Sequence, residues 1–145
     1  MSATIMLLID QQKNTCDEFM EYSNSHGSAP VVWNIFSEKY WGKEKIAWLL
    51  ANDPLDEFWN LYRNNQIPLA HRAVFTMTFD RALITRGNYE RAISDIKKFI
   101  HDFSDYPGFW VGANHWPQIA LDIAKVELHT NAPAIGFHMT TVSRN

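Results

Sequence analysis

Val74-Phe75-Thr76-Met77-Thr78-Phe79 is the stretch on which the fold turns. From Phe75 onward apolar and polar side chains alternate. Val, Phe and Thr also suit the pleated, half-buried surface of a strand. At a period of two, residues 71–79 form a strand with Phe75, Met77 and Phe79 on one face. Thr76, Thr78 and Asp80 fall on the other. One apolar and one polar face is the pattern of an antiparallel strand that meets a core from one side.

Three further segments read as strands. Residues 4–9 form a run rich in Ile, Met and Leu, and Gln11-Gln12-Lys13-Asn14 is a polar turn. Residues 16–23 then return as the second strand of a hairpin. Residues 134–142 place Ile135, Phe137, Met139 and Thr141 on one face of a last strand.

The segments between them carry helix signals. Ser28 can cap a helix with Pro30 in its first turn and a stripe of Val32, Trp33, Ile35, Phe36 and Tyr40. Gly42 is placed to end it in the left-handed conformation. Residues 43–51 read as a short helix. Asp53, Pro54, Asp56 and Glu57 open another, with Leu55, Phe58, Trp59 and Tyr62 as its inner face and Pro68 beyond its end. Residues 88–103 repeat apolar side chains at helical spacing, from Tyr89 and Ala92 to Ile100 and Phe103. Asn114 and Pro117 start a final helix lined by Ile119, Ala120, Ile123 and Val126. The order β-β-α-α-α-β-α-α-β predicts an α+β fold. Its mainly antiparallel sheet has about four strands, with about five helices packed against it. Residues 1–145 are expected to make one globular domain.

Composition narrows the function. Apolar residues are 46% of the chain and charged residues 20%, which suits a folded core and not a disordered charged segment. The net charge of −3 argues against a nucleic-acid partner. The charge is uneven. Residues 1–60 carry four basic and nine acidic side chains, residues 61–145 nine basic and seven acidic. An acidic first part can face solvent or meet a basic partner. The apolar run at residues 5–9 is too short to span a bilayer and lacks the flanks of a signal peptide. With Cys16 the only cysteine, expected half-buried in the hairpin, a cytoplasmic protein with no membrane partner is expected.

Catalytic and ligand signatures are sparse. No two of the six histidines stand at i, i+4, and neither His-Glu-x-x-His nor Cys-x-x-Cys occurs, so no metal is expected. The six glycines are isolated, which leaves no phosphate-binding loop and no expected cofactor. No Gly-x-Ser-x-Gly elbow is present.

Two constellations remain. If the strands at 71–79 and 134–142 pair, Thr76, Thr78, Asp80, Arg81 and His138 gather on a polar sheet face. Hydroxyls, an imidazole and a carboxylate there could bind a small polar ligand or move protons. The plainer reading is cross-strand threonine pairing and a turn-capping aspartate. The second is the loop at 106–117, where Tyr106, Phe109, Trp110 and Trp116 crowd together between Gly108 and Gly112. Tyr and Trp dominate protein–protein hot spots, although the loop can also fold them onto the core. The favoured function is a non-catalytic protein-binding module. An immunity- or inhibitor-type protein masking a basic toxin or nuclease is one concrete form. The alternative is a small enzyme or small-ligand-binding domain using the Thr/His/Asp face. A homo-oligomer that buries its surplus aromatics between copies is a third reading.

Overall fold

A computed structural model describes residues 3–23, 28–42, 52–78, 82–112 and 114–140. Its strands are β1 (Ala3–Asp10), β2 (Thr15–Ser23), β3 (Ala82–Thr85) and β4 (Ala134–Thr140). Five helices of nine residues or more are α1 (Ser28–Phe36), α2 (Asn52–Arg63), α3 (Leu69–Met77), α4 (Tyr89–Phe103) and α6 (Trp116–His129), and α5 (Phe109–Gly112) is a single turn. The α+β class, with a four-stranded antiparallel sheet ordered β2-β1-β4-β3, follows the expectation. The short helix at 43–51, the loop at 24–27, Phe79, Asp80, Arg81 and Thr141 lie outside the described residues.

The decisive stretch is a helix. Residues 69–77 form α3, and the strand expected at 71–79 is not there. Three physical reasons outweigh the alternation. The alternation begins only at Phe75, whereas His71, Val74, Phe75 and Thr78 recur at helical spacing and all four are buried. After α2 ends at the left-handed Asn65, φ 58°, Pro68 opens α3, since its carbonyl accepts from Arg72 N–H at 2.9 Å. The Thr78 hydroxyl donates to the Phe75 carbonyl at 2.7 Å and closes the last turn. Phe75 then meets Trp33, Phe36 and Phe58 at ring separations of 5.3, 5.2 and 5.5 Å. Such tertiary contact overrides a weak local β preference.

The missing strand is the next segment. Ala-Leu-Ile-Thr at 82–85 pairs with β4, with Leu83 opposite Gly136 and Ile84 opposite Ile135. Four residues are too few for periodicity to mark.

The other elements form where expected. Asp10 Oδ1 accepts from Gln12 and Lys13 N–H at 3.1 Å, and Asn14 adopts φ 53°, which together close the β1–β2 turn. Met6 faces Met20 but Leu7 faces Glu18, so Phe19 is an extra residue that bulges β2. Cys16 is exposed on this strand, not half-buried. After α1 the chain widens into a π-helical turn, Ser37–Trp41, which ends at Gly42 with φ 74°. Ile119, Ala120, Ile123 and Val126 of α6 are buried as their spacing predicts. The helices cover one face of the sheet, where Met6, Ile135 and Phe137 meet Ile96, Phe99 and Ile123 in one buried cluster.

Arg86 fastens the two halves of the chain. It stands just after β3, and its guanidinium donates to the carbonyls of Glu127, Thr130 and Ala132 at 2.6–2.9 Å. A cation there satisfies the last carbonyls of α6 and complements the negative end of its dipole. No helix among the described residues is long and apolar enough to cross a membrane.

Candidate functional site

Among the described residues the polar sheet face does not come together. Thr76 belongs to α3 and Thr78 follows it, so neither lies on a strand. Asp80 and Arg81 lie outside the described residues. His138 is exposed on β4 opposite Ile5, while its neighbour Phe137 pairs with Met6 in the core. Successive strand residues alternate faces, so His138 sits on the sheet face turned away from the helices.

The aromatic loop divides. Phe109 and Trp116 are buried in the core. Tyr106 is half-buried and donates its hydroxyl to the Glu38 carboxylate, with Lys39 Nζ 5.8 Å above its ring. Trp110 alone of the four is largely exposed, at 49%, against the edge of Phe109. The loop mainly closes the core, as the plainer reading of its aromatics has it.

Two buried polar groups were invisible to local spacing. In the first, His71 bridges Tyr40 on the π-helical turn and Asp102 on α4. Its Nε2 meets Asp102 Oδ2 at 2.6 Å, and its Nδ1 meets the Tyr40 hydroxyl. Asp102 also accepts from Lys98 at 3.0 Å and contacts His101 at 3.3 Å. Partial burial alone would raise the Asp102 carboxyl. Hydrogen bonds from Lys98, His71 and His101 prevail and hold it at about 2. A carboxylate only accepts, so Nε2 carries the hydrogen, and in the neutral ring Nδ1 accepts from Tyr40.

Hydroxyl, imidazole and carboxylate in this order resemble a nucleophilic relay. Burial, helped by the Asp102 charge, pushes the Tyr40 hydroxyl up to about 12, so it stays a neutral donor. Both ring nitrogens of His71 are engaged, and the residue is 6% exposed. The group is a strut that ties α3 to α4 and to the turn after α1. Its members are 31 residues apart in each pair, and no sequence motif joins them. The one available signal was His71 on the buried face of a helical α3.

The second group joins the sheet to α6. Tyr22 donates to Asp122 Oδ2 at 2.6 Å, Gln118 donates to Oδ1 at 3.0 Å, and Lys125 stands 3.6 Å away. Asp122 is fully buried, and burial together with this bond drives the Tyr22 hydroxyl far above its ordinary range. Among the described residues no group of three or more His, Cys, Asp or Glu side chains is placed to hold a metal ion.

The surface feature that stands out is an apolar groove of about 420 Å³ between α4 and α6. Ile93, Lys97 and Ile100 line one wall, and Pro117, Leu121 and Ala124 the other. Leu121 is 59% exposed, and Leu128, two turns along the same face of α6, is 75% exposed. The signal was present in the sequence. Leu121, Ala124 and Leu128 recur at helical spacing opposite the inner face of α6, which a soluble helix normally keeps polar. No protein-family model, curated protein or solved structure matches this chain.

Proposed function

We propose that this chain is a non-catalytic protein-binding module that seats a helix of a partner protein in the groove between α4 and α6. The observation that carries the reading is the groove itself, whose lining is apolar apart from Lys97. Exposed apolar side chains that cluster on one face mark interaction sites more often than scattered ones do. Two neighbouring helices leave a channel that the apolar ridge of a third can fill, with anchors at i, i+3 or i+4 and i+7.

The hairpin supplies a second ingredient. Asp17, Glu18 and Glu21 of β2 are exposed. A basic partner, such as a toxin or nuclease masked by an immunity-type protein, would be drawn in by this acidic edge and held by the groove. Electrostatic steering acts mainly on the association rate and weakens with salt, whereas apolar burial persists.

Affinity purification from the source cell, at low and high salt, with the wild-type chain and with Leu121→Asp, tests the reading. Leu121 is exposed, so the substitution leaves the fold intact, which circular dichroism verifies. The expected result is one stoichiometric protein, captured faster at low salt and lost with Leu121→Asp. Recovery of no stoichiometric partner at either salt, or undiminished recovery with Leu121→Asp, would overturn it. Sedimentation of a wild-type dimer that Leu121→Asp converts to monomer would replace the foreign partner by a second copy of this chain.

A further inference from the structure

On the other side of α4 lies a cleft of about 280 Å³ between α3, β3 and the start of α4. We infer that it binds a compact monoanion with a hydrocarbon body, a small branched carboxylate in chemical class, with the carboxylate on Arg72 and Arg91. The site is separate from the α4–α6 groove and does not depend on it.

The charge of the cleft sets the class. Among the described residues its charged lining is Arg72, Arg91 and Asp95 beside the neutral phenol of Tyr62, two cations against one carboxyl. One negative charge on the ligand completes the balance. A phosphate dianion overshoots it beside Asp95, and a zwitterion leaves the surplus cation where it was.

The state of each arginine points the same way. Arg72 is pinned at its far end, where Nη1 donates to Asn65 Oδ1 at 2.7 Å and the guanidinium lies 5.4 Å from the Tyr62 ring centroid. Its Nε is nonetheless buried with no hydrogen-bond acceptor. Buried donors are nearly always satisfied, and one that is not calls for an acceptor. Arg91 is half exposed and reaches Asp95 only at 3.9 Å, a separation too long for a good hydrogen bond. Its long contact to Asp95 and its exposure let it turn onto a ligand at the mouth. Asn88, at the positive end of α4, also lines the cleft, and that helix end favours an anion.

The remaining walls set the body of the ligand. Leu69, Ala73, Met77 and Ile84 are apolar, so a purely polar anion would leave them unmatched. Ligand sites typically run from ~300 Å³ upward, which restricts this cleft to a compact molecule. Burial also pushes the Asp95 carboxyl above its ordinary range, against Arg91 and His71.

Nuclear magnetic resonance titration of the full chain with isovalerate tests the inference, with isovaleramide, inorganic phosphate and leucine as comparison probes. The expected result is saturable shifts at Ala73, Ile84 and Ala92. Isovaleramide and phosphate should bind at least about tenfold more weakly, because one lacks the charge and the other lacks the body and carries too much charge. Arg72→Met should weaken isovalerate binding about tenfold and Arg91→Gln severalfold. If Arg72→Met does not fold, the exposed Arg91→Gln decides, since it alters no core contact. Absence of saturable shifts, equal binding of the amide, tighter binding of phosphate or leucine, or unaltered affinity in Arg91→Gln would each overturn the inference.

Discussion

Two tyrosine hydroxyls show how much a single bond depends on what its partner loses. Tyr22 serves a carboxyl that has no access to water, whereas Tyr40 serves a ring whose other nitrogen keeps its bond to Asp102. Tyr22→Phe is therefore expected to cost about 2 kcal/mol, the range for a hydrogen bond to an ionisable buried group. Tyr40→Phe should cost ~1 kcal/mol, the ordinary net value. Urea unfolding of the two variants measures the difference, and equal losses would contradict it. Asp102 gives the same argument in pH. Its carboxyl is held at about 2 against an ordinary 3.8. The unfolded chain thus takes up its proton first. The stability that Asp102 contributes is complete above the ordinary value and disappears as pH falls from there through about 2. Asp102→Asn should accordingly be less stable than wild type at neutral pH, with the gap closing in acid, as urea unfolding at stepped pH would record. None of this was legible beforehand. Tyr22 and Asp122 are 100 residues apart, and only folding makes them neighbours.

Among the elements, legibility followed length and agreement between signals. The apolar spacing of α4 and α6 says helix and both formed where it does, although Asn88 makes no side-chain cap bond and α6 follows His115 where Asn114 was the expected cap. α3 had conflicting signals. Thr76, Thr78 and Val74 favour strand locally, while His71, Val74, Phe75 and Thr78 share one helical face. The contacts of Phe75 settled the conflict, and contacts are not written in a window of nine residues. That single reversal also dissolved the Thr/His/Asp site, because the site existed only if residues 71–79 paired in the sheet. The docking of α6 depends on a residue far from it in sequence. Arg86 puts a planar fork on the carbonyls of Glu127 in α6, its C-cap Thr130 and Ala132 just beyond. Arg86→Met is expected to cost about 2 kcal/mol through lost charged hydrogen bonds. Arg86→Lys should recover less than half of that, because an ammonium cannot span the three acceptors with the same geometry. Thermal unfolding of both variants checks this, and full recovery by lysine would mean that charge alone holds the helix end.

For the molecule as a whole, the acidity of the first part has two physical uses that can be separated. β2 is an edge strand of the four-stranded sheet, nine residues long, and its side chains are mostly exposed. Edge strands of that length invite pairing, and charge together with a bulge is the usual defence. Both are present, in Asp17, Glu18 and Glu21 and in the extra residue Phe19. The same carboxylates set the sign of the field that a basic partner would feel. If edge protection is their main task, Glu18→Val with Glu21→Val should raise light scattering at concentrations where the wild type stays clear. The urea midpoint should change by no more than the equivalent of ~0.5 kcal/mol, because both side chains are exposed. If steering is the main task, the double variant should stay clear and instead lose the salt dependence of partner association. The edge is exposed in the free chain whatever the partner is, so the scattering measurement needs no partner in hand. Its outcome determines whether the acidic hairpin belongs to the binding surface or only keeps the sheet from finding another sheet.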